Sequence, residues 1–221
     1  MCGRFALFAP GQDVAEQFGV VVDHEMEPRY NIAPTQPVAA VRLNANSDKR
    51  ELTYLTWGLI PSWAKDPKIG SRMINARSET AAEKPSFRAA FKRRRCLIPA
   101  SGFYEWQKLG DRKQPTFIHG VDKGLMGLAG LWEVWHSSDG SFVQSCTILT
   151  TQPNELMAPI HNRMPVIIAP EDYSMWLDPG PRPEDGLHLM RPYAGAQMAA
   201  YAVSTAVNSP RNDTEACIEA V

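Results

Sequence analysis

At 221 residues, with 44% hydrophobic and 21% charged side chains, the chain can bury a core and is not a disordered segment. A formal net charge of −1 creates no global attraction to nucleic acid or an acidic membrane, so any nucleic-acid site has to be a local patch. No run approaches the ~20 apolar residues of a membrane helix, no signal peptide opens the chain, and Cys2, Cys96, Cys146 and Cys217 form no CxxC pair that would suggest zinc or a thioredoxin-like centre. The expectation is a soluble, monomeric, intracellular protein with reduced thiols, cytoplasmic or nucleoid-associated if bacterial, with no metal and no cofactor.

In chain order, residues 4–8 alternate as a short strand, and residues 10–20 place Val14, Ala15 and Phe18 at helical spacing. Pro34 forces an extended or turn geometry on the residues before it. Residues 37–43 and 51–57 are β-rich runs around a polar turn, a hairpin signal. Residues 58–70 read as irregular, and 78–83 and 85–93 as helical. Strands are expected at 95–100, 103–107, 116–119, 125–136, 142–151, 165–169 and 201–204, with helices at 171–177 and 183–190. The Pro-rich stretch 178–185 reads as a mobile surface loop. Many short strands, few helices and no βαβ rhythm imply an α+β fold. A single domain, residues 1–221, is built on a curved, mostly antiparallel sheet or barrel-like core with a few short flanking helices.

The chemistry starts at Met1-Cys2-Gly3-Arg4. Initiator Met is trimmed when the next side chain is small, which would leave Cys2 with an α-amine and a thiol on adjacent carbons. Their unperturbed pKa values, about 8 and about 8.5, give both some free nucleophile near neutral pH. An aldehyde would meet the amine as a Schiff base, and the thiol would close a thiazolidine. Position alone equally allows an ordinary buried Cys.

Other segments carry polar groups in apolar settings. In Asn75-Ala76-Arg77-Ser78-Glu79-Thr80, Asn75 suits a hydrogen-bonding role and Arg77 a phosphate, although a turn and a helix-capping Ser78 would explain the same residues. In Gly102-Phe103-Tyr104-Glu105-Trp106, strand alternation puts Glu105 on the face of Phe103, where a carboxylate loses hydration and titrates high. An edge-strand Glu reaching solvent is the other reading. His161, in the loop Pro159-Ile160-His161-Asn162-Arg163-Met164-Pro165, is a candidate acid or base, or a structural His. The basic run 92–95 reads as a solvated helix end before a phosphate site. Trp57 reads as core, and Trp63, in the irregular segment, as the better base-stacking candidate.

Taken together, these segments resemble the SOS-response-associated peptidase family, the SRAP-domain or abasic-site processing proteins. Cys2-Gly3-Arg4, Arg29-Tyr30-Asn31-Ile32-Ala33-Pro34, Trp57-Gly58-Leu59-Ile60-Pro61, the Asn75 and Glu105 motifs, Arg95-Cys96-Leu97-Ile98-Pro99 and His161-Asn162-Arg163-Met164-Pro165 come in the family's order. The resemblance implies a covalent trap in which Cys2, freed of Met1, forms a thiazolidine with an abasic site in single-stranded DNA. Autocatalytic Met1 removal and abasic-site strand incision are implied alongside it. By position, Asn75, Glu105 and His161 would surround Cys2, Arg4, Arg77 and Arg163 would hold phosphates, and Trp63 would stack on a base. DNA access predicts that Cys2 lies in a shallow, open groove lined by the three arginines.

Two rival functions fit parts of the same sequence. An N-terminal-nucleophile cysteine amidohydrolase would also use Cys2, but Arg4 stands where such enzymes carry an apolar residue soon followed by a second Gly. A non-covalent single-stranded-DNA-binding module would use Arg and Trp alone.

Overall fold

The computed structural model describes every residue except Met1, Ala45, Pro179 and Pro181, together with the side chain of Pro183. The expected removal of Met1 and part of the expected loop at 178–185 therefore lie outside the described residues.

Among the described residues, thirteen strands and four short α-helices follow one another as β1 (Phe5–Leu7), α1 (Gly11–Phe18), β2 (Arg29–Ile32), β3 (Pro37–Leu43), β4 (Arg50–Trp57), β5 (Asn75–Arg77), α2 (Ser78–Ala81), α3 (Arg88–Arg93), β6 (Arg95–Ala100), β7 (Gly102–Leu109), β8 (Arg112–Gly120), β9 (Met126–His136), β10 (Phe142–Thr151), β11 (Met164–Pro165), β12 (Ile167–Ile168), α4 (Tyr173–Leu177) and β13 (Met198–Ala202). The class is α+β, dominated by sheet. Helices are short because their apolar faces are short: α1 buries only Val14 and Phe18 before Gly19 ends it in the left-handed region at φ 64°. Residues 183–189, within the helix expected at 183–190, form a 3-10 helix, and 67–72 form another that overlaps the end of the segment 58–70 expected to be irregular.

The core is a closed barrel. Strand β10 pairs with β4, β4 with β3, β3 with β6, β6 with β9, and β9 returns to β10. All of these pairings are antiparallel except β10 with β4. At one closing point Gly130 pairs with both Cys96 and Ile148, and a Cβ there would lie 2.8 Å from the Cys96 Sγ. A second, antiparallel sheet, ordered β13-β8-β7-β1-β2, lies beside it. Phe5 joins the two units: its backbone belongs to β1, while its ring meets the Trp57 ring edge-on at 5.3 Å. Both side chains are fully buried, and each such burial stabilises the fold by about 1.5–3 kcal/mol or more.

Two local departures follow from pairing. Residues 75–77 form a strand because Ile148, Leu149 and Thr150 of β10 offer a free edge beyond β4. Residues 164–168 divide at Val166, whose N–H donates to the Leu149 carbonyl while its carbonyl accepts from Ala129, so the chain crosses from β10 to β9. The basic run divides: Lys92 and Arg93 are exposed in the last turn of α3, the solvated helix end expected, whereas Arg94 and Arg95 are drawn into the fold. Arg94 pairs with Glu133 at 2.6 Å, and Arg95 is buried with its guanidinium over the rings of Phe91 and Trp176.

Candidate active site around Cys2

The site is assembled where the two sheets meet. Beyond β1 the antiparallel register with β7 continues, since the Tyr104 N–H donates to the Arg4 carbonyl at 2.9 Å. That register carries Cys2 and Gly3 alongside the Glu105 end of β7. From the barrel side, β5 presents Asn75, whose side-chain Nδ2 donates to the Cys2 carbonyl at 2.7 Å. The other half of that amide, Oδ1, is buried and has no hydrogen-bond partner among the described residues.

Cys2 is fully buried within the main apolar cluster. This corrects the expectation of an open groove: the side chain folds inward with Phe5 and is covered. Burial, and secondarily the charge of Glu105, push its thiol well above the ordinary range and keep it protonated at neutral pH.

Glu105 lies on the same face of β7 as Phe103, while Tyr104 and Trp106 pack into a separate cluster on the other face. The residue is 3% exposed, and loss of hydration is the largest reason its pKa is raised. His161 faces it, with Nε2 3.9 Å from Glu105 Oε2. The loop bearing His161 is held against β7 by Gln107, whose Nε2 donates to the Pro159 carbonyl at 3.2 Å. The His161 Nδ1 is 3.1 Å from both the N–H and the carbonyl of Arg163. That nitrogen therefore finds a partner whether it accepts or donates.

The arginines divide. Arg77 is exposed on β5 and pairs across to Thr150. Arg163 reaches the same residue, its Nη2 donating to the Thr150 carbonyl at 2.5 Å, so these two flank one point of β10. Arg163 also forms a two-pronged pair with Glu79 at 2.5 and 2.9 Å. Arg4 turns elsewhere: Nη1 donates to Asn31 Oδ1 and to the Val207 carbonyl, both at 2.7 Å, beside the Trp106 ring. Trp63 is 58% exposed on a turn anchored by Trp135, whose Nε1 donates to the Ala64 carbonyl at 2.7 Å, whereas Trp57 is buried. Among the described residues no group of three or more His, Cys, Asp or Glu is placed to hold a metal ion.

Sequence reasoning assigned no role to Asn31, Asp213 or Glu79. Asn31 is fully buried and donates to the carbonyls of Val207, Ser209 and Asn212. Asp213 accepts from the N–H groups of Tyr30 and Asn31 and from Arg29. A buried Asn inside a β-rich run is a signal of such an anchor, but its partners are some 180 positions away and not readable from spacing.

The family model of SOS response associated peptidases (SRAP) matches residues 1–210. A Bacillus subtilis (strain 168) protein named abasic site processing protein YoqW is 47% identical over 224 residues, covering 99% of each chain. The Xenopus tropicalis abasic site processing protein HMCES is 35% identical over 225 residues, covering 88% of this chain and 67% of its own. A crystal structure of a Bacteroides thetaiotaomicron protein superposes over 100% of both chains with a TM-score of 0.89 and 28% identity.

Proposed function

The chain belongs to the SOS response associated peptidase family, and from that membership we propose that it processes abasic sites in DNA by forming a covalent thiazolidine with them through Cys2. The observation that carries this reading is the Asn75 amide bonded to the Cys2 carbonyl, beside a buried Glu105 and a facing His161. That is a constellation for handling protons around an α-amine.

The residues divide the chemistry as follows. Hydrolysis of the Met1–Cys2 peptide frees the α-amine. An abasic sugar is mostly a closed hemiacetal, and His161 delivers a proton to the ring oxygen while the anomeric hydroxyl loses its proton to water, opening the aldehyde. The Cys2 amine adds to the aldehyde carbon, with Glu105 removing the ammonium proton, and the carbinolamine loses water to give the imine. The raised pKa of Glu105 brings it nearer to neutral, where a carboxyl both takes and returns protons. The thiol then adds to the imine carbon and its proton passes to nitrogen, closing the ring. The steps consume no oxidant or reductant; hydrolysis of the Met1–Cys2 peptide takes up one water and closure of the thiazolidine from the aldehyde releases one. Asn75 cannot titrate, and its unpartnered Oδ1 is an acceptor suited to orienting the freed amine. The protonated, buried thiol makes the amine the first nucleophile.

Arg77 and Arg163 supply the local positive charge that the net charge hides, and single-stranded DNA is the substrate form proposed, with Trp63 stacking on a base. Removal of Met1 by the protein itself and strand incision belong to the same proposal. Denaturing electrophoresis after incubation with abasic single-stranded DNA tests it: a complex that survives boiling supports the thiazolidine, and full release of the DNA defeats it. Ammonia release from glutamine with no crosslink would instead indicate the amidohydrolase.

A further inference from the structure

We infer that Glu79 is a built-in phosphate competitor that holds the Arg163 fork in a closed resting state and must be displaced when a DNA backbone docks. The inference rests on the reading of Arg163 as a phosphate ligand. Glu79 follows directly on the strand that carries Asn75 and Arg77, in the first turn of α2. Its two carboxylate oxygens meet Nη1 and Nη2 of Arg163 side by side, the arrangement a phosphate adopts on a guanidinium. The hydrogen bond from Arg163 is the main reason the Glu79 carboxyl is held below its usual range, so it is anionic and competes at neutral pH.

The pair is built to open. The Glu79 side chain is 42% exposed against 15% for Arg163, so the carboxylate is the partner that solvent and ligand reach. The Arg163 Nε is buried with no hydrogen-bond partner among the described residues, leaving a donor that Glu79 does not satisfy. Thr150 keeps its bond to Nη2 independently of Glu79, so the fork stays aimed when the carboxylate leaves. A destination also exists: Glu79 lines an open cavity of about 300 Å³ with Ser78, Thr151, Gln152 and Arg191, and a displaced carboxylate can turn toward Arg191 there.

The test is binding of fluorescein-labelled single-stranded DNA without an abasic site, read by anisotropy at low salt, for wild type, Glu79→Gln, Arg163→Ala and the double variant. Glu79→Gln is expected to tighten binding roughly two- to fivefold, the range of an exposed ion pair, and to give no gain when Arg163 is Ala. Weakening comparable to Arg163→Ala would make Glu79 a support for Arg163 and overturn the inference, as would no change. An equal gain in the Arg163→Ala background would reduce it to general charge removal. Crosslinking of wild type to abasic DNA is scored in parallel. A wild type that crosslinks while Glu79→Gln shows no gain defeats the inference alone, and a wild type that neither binds nor crosslinks defeats the functional reading and the inference together.

Discussion

Asn75 holds the carbonyl of Cys2 at 2.7 Å across 73 positions of sequence, with the other end of its amide empty. Asn75→Ala would remove the bond and the acceptor. It is expected to cost about 1 kcal/mol of stability. It should also slow crosslinking, by far more than that destabilisation explains if Oδ1 orients the amine. Urea unfolding and the crosslinking time course, measured on the same preparation, separate the two effects; equal rates would remove Asn75 from the chemistry.

Cys2→Ser tests the order of bond formation. The amine survives the substitution, and Ser is small enough for Met1 trimming. An imine should be captured by borohydride, yet no boiling-stable complex should form without it, because an alcohol is a far weaker nucleophile than a thiol. A chain shown by mass spectrometry to retain Met1 should fail both assays, since its Cys2 nitrogen is an amide.

Glu105 gives a pH signature with a defined sign. Its folded-state pKa is raised, chiefly by burial, above the ~4.5 of an exposed Glu. Between the unfolded and folded values the native state binds more protons, so its stability falls as pH rises through that window. Glu105→Gln removes this dependence. The variant should gain on wild type as pH rises from below 4 to above the folded pKa, and the difference should vanish on the acid side. Unfolding midpoints across pH check this. Crosslinking by Glu105→Gln should be slower by about 10²–10⁴-fold if Glu105 is the acid–base group.

The arginines should separate by assay. Arg77→Ala, at an exposed position, should leave stability within about 0.5 kcal/mol and lower the slope of log K against log salt by roughly 0.7 for single-stranded DNA. Arg4→Ala takes the charged donor from Asn31 Oδ1 and the Val207 carbonyl and should destabilise by about 1–3 kcal/mol. Thermal melts beside salt titrations decide it: a stable Arg4→Ala would mean those bonds contribute little.

Much of the fold was legible because its signals are local. The β3–β4 hairpin announces itself by two β-rich runs around a polar turn, and the alternation of β7 predicts which face Glu105 takes. What was not legible depends on partners. Asn75-Ala76-Arg77 has no strand pattern and becomes one only against β10. The inward placement of Cys2 depends on what packs over it, and a small residue near a chain start does not encode that. The pairing of Arg163 with Glu79 spans 84 positions, and no spacing rule joins them.

The bond from Arg4 to the Val207 carbonyl spans 203 positions. Ribosomes add about 5–20 residues per second, so roughly 10–40 s separate the emergence of Cys2 from synthesis of the segment that fixes the residues next to it. Throughout that interval Arg4 lacks this bond, whereas the residues that flank Cys2, Asn75 and Glu105, are made well before it ends. Under the proposed chemistry, the bond between Met1 and Cys2 is open to solvent until Asn75 and Glu105 have folded against Cys2. The rate at which the chain from Cys2 to Val207 is translated thus sets how long Arg4 waits for its partner.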